Sequence, residues 1–158
     1  MQLPEMAERY FEDLRIGARF QSRPYKVTEA AIISFAREFD PQPFHLDPEA
    51  ARQSLFEGLV ASGWHTAVIT MRLLVQSGFN LAGGTIGLGA DELRWPKPVR
   101  PGDELQAEIE IVGLRLSRSK PDRGMVRIRY KTRNQNDDIV MTMSATVLVP
   151  RRFVPQDS

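Results

Sequence analysis

The chain has 158 residues, 42% of them hydrophobic and 26% charged, with a formal net charge of +1. That length and balance suit one globular domain over residues 1–158, and the near-neutral charge excludes a global field that would gather nucleic acid or an anionic membrane. With no cysteine and two histidines, disulfides, thiolate metal sites and a cysteine nucleophile are excluded, and few side chains can carry a proton near neutral pH.

The N-terminal stretch Met1–Leu14 scatters Glu5, Glu8, Glu12 and Asp13 among apolar residues. It lacks a basic segment followed by an apolar run, so no leader is expected. No run of about 18 apolar residues occurs, so no transmembrane helix is expected and a cytoplasmic location is the default. Residues 18–27 read as extended. Thr28 is an N-cap candidate, and Ile32, Phe35, Ala36 and Phe39 follow it at helical spacing. That helix should end before Pro41. A proline-braced loop, Asp40-Pro41-Gln42-Pro43-Phe44-His45, comes next. Residues 48–54 can add a helical turn or two, with Asp47 as N-cap and Pro48 at the first position.

The segment Ser62–Ser77 predicts a long helix. Trp64, Ala67, Val68, Met71 and Leu74 share one face, while Val60, Ile69, Leu73 and Val75 add apolar surface around it. A helix apolar most of the way round should be buried. Ser62 can cap its start and Gly78 can end it. Gly83-Gly84-Thr85-Ile86-Gly87-Leu88-Gly89 superficially suggests a phosphate loop, but Glu92 stands where a final glycine is needed and no Gly-Lys-Ser/Thr follows. These glycines more plausibly bend the entry of a strand over 85–95.

From there the period becomes two. Leu105, Ala107, Ile109 and Ile111 alternate, then the phase slips at Val112-Gly113, which predicts a bulge. Val126, Ile128 and Tyr130 alternate with Arg127, Arg129 and Lys131, and a last strand runs from Ile139 to Val149. Turn residues at 100–103, 120–124 and 134–138 separate the strands. Helices followed by an antiparallel meander give an α+β class, with about five antiparallel strands wrapped around one long helix.

Chemistry centres on Asp40 and His45. The bland reading is a turn residue and a half-buried loop side chain. The functional reading is an acid and a base in one pocket. Ser62-Gly63 reads either as a plain cap or as a helix N-terminus whose free N–H groups stabilise developing negative charge, with Gly63 admitting close approach. His65 reads as a packed helix residue. Asp40, His45 and Asp47 are too few and too carboxylate-rich to argue for a metal site. The basic stretch 115–133 reads as the solvated face of a hairpin or as a strip for phosphates. RNA is disfavoured because Tyr130 is its sole aromatic residue.

These residues together resemble the MaoC-like hydratases, the group that contains (R)-specific enoyl-CoA hydratases. The likeness spans roughly residues 10–150. It rests on Asp40-Pro41-Gln42-Pro43-Phe44-His45-Leu46-Asp47-Pro48, and on Phe56-Glu57-Gly58-Leu59-Val60-Ala61-Ser62-Gly63-Trp64 at the family's distance from the histidine. The resemblance implies the hot-dog fold. It makes Asp40 and His45 the catalytic dyad and Gly63 the oxyanion-binding amide. Water would add syn to a trans-2-enoyl thioester, or leave in the reverse dehydration, with Asp40 favoured as base and His45 delivering a proton. Gln42, Phe44, Ser62 and Trp64 would contact substrate, and Arg127 and Arg129 would meet coenzyme A phosphates. No cofactor is implied beyond the coenzyme A or acyl-carrier-protein thioester itself, and a homodimer is expected. Gln42 replaces the family's Asn, Ser62-Gly63-Trp64 replaces His-Gly-Met, and Met71 stands in place of a serine. A thioesterase of the same fold and a non-catalytic acyl-CoA-binding subunit are the alternatives.

Overall fold

In the computed structural model, residues 7–153 are described. Residues 1–6 and 154–158 lie outside the described residues, and with them part of the stretch read for a leader and both ends of the expected 1–158 domain.

The extended segment becomes two short strands, β1 (Arg19–Gln21) and β2 (Tyr25–Lys26). Helix α1 (Glu29–Phe39) starts at Thr28, whose side chain accepts the Ala31 N–H, and stops ahead of Pro41. Two short helices follow, α2 (Pro43–Leu46) and α3 (Pro48–Arg52), the second capped by the Asp47 side chain on the Glu49 N–H. Helix α4 (Gly63–Val75) is capped by Ser62. Beyond it lie β3 (Ile86–Arg94), β4 (Glu104–Leu116), β5 (Arg123–Arg133) and β6 (Ile139–Pro150).

The sheet runs β1-β4-β5-β6-β3 and β2 also pairs with β4, giving six strands rather than five. All the pairings are antiparallel. The extra strand arises because the 18–27 segment breaks in its middle. Ser22 holds Ala107 through two bonds, N–H to carbonyl and N–H to Oγ, each 2.9 Å, and Pro24 has no N–H to continue the ladder. The predicted bulge is present: Ile111 faces Ile128 and Gly113 faces Arg127, which leaves Val112 unpaired.

The concave face carries the core. Leu105, Ala107, Ile109 and Ile111 of β4 are buried, as are Val126, Ile128 and Tyr130 of β5. Ile69 and Leu73 of α4 pack with Leu105, Ala107 and Val140, and Leu74 packs with Ile109, Ile111 and Val126. Each fully buried aliphatic side chain of this kind contributes about 1.5–3 kcal/mol. Thr70 ties the helix to the sheet, its Oγ1 lying 2.7 Å from Thr132 Oγ1.

The orientation of α4 differs from the sequence expectation. The sheet side is His65, Thr66, Ile69, Thr70, Leu73 and Leu74, while Trp64, Val68, Met71 and Val75 face outward. A helix apolar nearly all round carries no periodic signal to select a face, so tertiary packing selected it. Phe39 likewise ends exposed, while Ile32 and Ala36 of its row are buried.

Candidate active site

The proline-rich loop turns the end of α1 back across the start of α4. Pro43 opens α2 at its first position, and the Asp47 N–H closes that turn on the Pro43 carbonyl. This places His45 inward, with only 5% of its surface exposed. Its Nδ1 lies 2.7 Å from the Val60 carbonyl oxygen. A carbonyl can only accept, so Nδ1 carries the hydrogen and Nε2 is left facing the site. Nε2 lies 3.4 Å from Asp40 Oδ2.

Asp40 is held by a donor: Gln42 Nε2 donates to its Oδ1 at 2.6 Å. Burial pushes the Asp40 carboxyl up, but the polar side chains of Ser62 and Gln42 and the nearby His45 together outweigh it. The carboxyl is held below its ordinary value and is ionised at neutral pH.

Asp40, Gln42, Phe44, His45, Gly63 and Trp64 line one cavity of about 450 Å³. Phe56, Val60, Ala61 and the strip Trp95–Pro98 complete its wall. At the start of α4 the Trp64 N–H is taken by Ser62 Oγ at 3.2 Å. The Gly63 amide meets no acceptor among the described residues and sits at the positive end of the helix dipole. Gly63 is required for a second reason: a β-carbon there would lie 2.6 Å from the Trp95 ring.

Three of the expected site residues lie outside this cavity. Ser62 is 1% exposed and stands behind the cavity wall, not on it. Arg127 and Arg129 project from the convex face of β5, opposite α4. Arg127 pairs with Asp91 at 2.6 Å, and Arg129 lines a separate surface hollow with Glu92 and Arg94. The basic strip has a structural explanation, since β4 places Glu110 opposite Arg129 and Glu108 opposite Lys131. Opposite charges facing each other across strands favour the pairing.

Sequence reasoning passed over Trp95, Lys97 and Val60. Trp95 lies over thirty residues from the motif, and Val60 contributes only a backbone carbonyl, which side-chain chemistry does not reveal. His65 is the packed residue expected, stacked on Phe35 with centroids 4.7 Å apart. Its Nδ1 is buried without a partner among the described residues, and burial holds its pKa down.

The family model described as MaoC like domain matches residues 13–134. The chain belongs to the MaoC-like family. Within it, the (R)-specific enoyl-CoA hydratase of Aeromonas caviae is 31% identical over 142 residues, spanning 88% of this chain and 98% of the relative. The uncharacterised Bacillus subtilis protein YdeM is 32% identical over 140 residues, spanning 89% of this chain and 98% of the relative. A crystal structure of the MaoC-like dehydratase from Rhodospirillum rubrum is 55% identical, with a TM-score of 0.88 over 92% of this chain and 99% of that one. The architecture described above is the hot-dog fold of these MaoC-like neighbours.

Proposed function

We propose that the protein reversibly hydrates trans-2-enoyl thioesters of coenzyme A or acyl carrier protein to (R)-3-hydroxyacyl thioesters. The observation that carries this reading is the convergence of Asp40, His45 and the Gly63 amide on one cavity. The separation of Asp40 Oδ2 and His45 Nε2 allows one water to contact both groups. Asp40 takes a proton from that water as its oxygen attacks C3. His45 delivers a proton from Nε2 to C2. The proton on Asp40 then passes to Nε2 and resets the pair. Both new bonds form on the side of the substrate facing the dyad, so addition is syn. Between these steps the thioester oxygen carries negative charge, and the Gly63 N–H at the helix N-terminus stabilises it. The hydratase and dehydratase names of family members support the same chemistry.

The active form is proposed to be a homodimer. Trp64, Val68, Met71 and Val75 form an exposed apolar row on α4, and β3 is an open sheet edge exposing Ile86 and Leu88. A second copy pairing along β3 would cover both features and remove the unpaired edge.

The deciding assay follows loss of enoyl absorbance with crotonyl-CoA and a longer enoyl-CoA, together with release of free thiol. Turnover without thiol release, abolished in Asp40→Asn and His45→Ala, is the expected result. Thiol release would assign a thioesterase instead, and binding without turnover would assign a carrier subunit.

A further inference from the structure

Trp64 and Trp95 are the two tryptophans of the chain, and both line the cavity. Their indoles meet edge to face, with centroids 5.3 Å apart and planes at 78°, a geometry that aromatic quadrupoles favour. Trp95 also lies over the Gly63 backbone, where a β-carbon would come within 2.6 Å of its ring. The strip that carries Trp95 is braced. Pro96 and Pro98 fix φ, Lys97 Nζ pairs with Asp138 at 3.0 Å, and the Val99 carbonyl accepts the Ala61 N–H at 2.8 Å. A wall held in this way has little freedom to move aside for a larger ligand.

His45, 5% exposed, marks the closed side of the cavity, whereas Trp64 is 59% and Trp95 40% exposed, so the indoles stand at the open side. Beside His45 the cavity is shut by Phe44, edge-on to the imidazole at 4.6 Å, and by Phe56, 5.2 Å from Phe44. A thioester with its oxygen on the Gly63 amide and its C3 at the dyad lies against Trp95, because Trp95 touches Gly63. The coenzyme or carrier arm is longer than the cavity and must leave by the open side, past the indoles. The acyl chain has to fit what remains. The whole space is about 450 Å³, toward the lower end of the roughly 300–1,000 Å³ of ligand cavities. It must also hold the attacking water, the thioester and the start of the arm. We infer that the Trp64–Trp95 pair is a specificity determinant: two indoles fixed beside the oxyanion amide confine turnover to short acyl chains. Resting on the hydratase reading, the pair thereby sets the substrate class of the site.

The test measures kcat/KM for crotonyl-CoA and trans-2-dodecenoyl-CoA in wild type, Trp95→Leu and Trp64→Ala. Wild type should prefer crotonyl-CoA by at least about tenfold, since even one methylene that does not fit a hydrophobic pocket costs roughly 10–200-fold. In each variant the ratio of dodecenoyl-CoA to crotonyl-CoA turnover should rise at least about tenfold. Loss of folded protein lowers both substrates alike, so the ratio isolates the shape of the pocket. A wild type that takes dodecenoyl-CoA as well as crotonyl-CoA overturns the inference, as does a ratio unmoved in both variants. Binding is read separately, without turnover. Both tryptophans of the chain lie in this cavity, so selectively excited indole fluorescence reports on it alone. Butyryl-CoA, which has no double bond to hydrate, should bind at least about tenfold tighter than dodecanoyl-CoA in wild type, and Trp95→Leu should narrow that gap. That order of binding in a protein inactive toward every enoyl thioester would defeat the hydratase reading and uphold the indole wall. Turnover of enoyl-CoA with equal affinity for the two saturated thioesters would uphold the hydratase reading and overturn the wall.

Discussion

The indole of Trp95 lies against the backbone of Gly63, so closely that a β-carbon at Gly63 would come within 2.6 Å of the ring. Trp95 in turn meets Trp64 edge-on, with centroids 5.3 Å apart. The residue proposed to supply the oxyanion amide is therefore also the floor of an aromatic wall. Gly63→Ala should push Trp95 aside, destabilise the protein by about 1–3 kcal/mol and lower kcat. In a Trp95→Ala background the same change should cost much less, because the clash has gone. A double-mutant cycle of denaturant unfolding would show the coupling, and additive values would count against the contact.

Asp40 and His45 should behave as one unit. Each single change, Asp40→Asn or His45→Ala, should lower kcat by about 10²–10⁴-fold. The double variant should be little worse than the poorer single one, because removing either member already breaks the proton path. Multiplying effects would mean that the two residues act independently.

His65 sets a pH dependence of stability. Burial depresses its pKa below the ordinary histidine value of 6.5, so the folded state binds fewer protons there than the unfolded chain. Its contribution is therefore complete above pH 6.5 and is lost as pH falls through the lower folded value. Asp40 acts with the same sign lower on the scale, from about pH 3.9 downward. His65→Phe keeps a ring against Phe35 and removes the titration. Its Tm should fall less than that of wild type between pH 7.5 and pH 5, and parallel falls would refute the assignment.

The convex-face arginines should be dispensable for substrate. Arg127→Glu and Arg129→Glu are expected to leave KM for crotonyl-CoA unchanged. Arg127→Glu should lower stability only slightly, because its ion pair with Asp91 is exposed and screened by water. A marked rise in KM would return the coenzyme phosphates to this strip.

Disrupting the outward row on α4 should separate subunits without unfolding them. Wild type should elute with about twice the 17.9 kDa chain mass. Val68→Glu and Met71→Glu should shift it toward one chain mass in light scattering while retaining the circular dichroism of the fold. A monomeric wild type would remove the dimer proposal.

Much of this protein was legible in its sequence because the signals are local. Thr28, Asp47 and Ser62 cap helices through bonds that span two or three residues. The phase slip at Val112 marks its bulge because alternation of period two is a property of the strand itself. The spacing of Asp40 and His45, fixed by two prolines, announced a pair that the fold sets 3.4 Å apart. Tertiary structure decided what depends on distant partners. It turned Trp64, Val68 and Met71 outward, because a nearly all-apolar helix has no preferred side until a sheet meets it. It set acidic β4 beside basic β5, which gave Arg127 and Arg129 a place on the sheet's convex face. It brought Trp95 against Gly63 and the Val60 carbonyl against His45, contacts made across loops that no periodicity or motif spacing encodes.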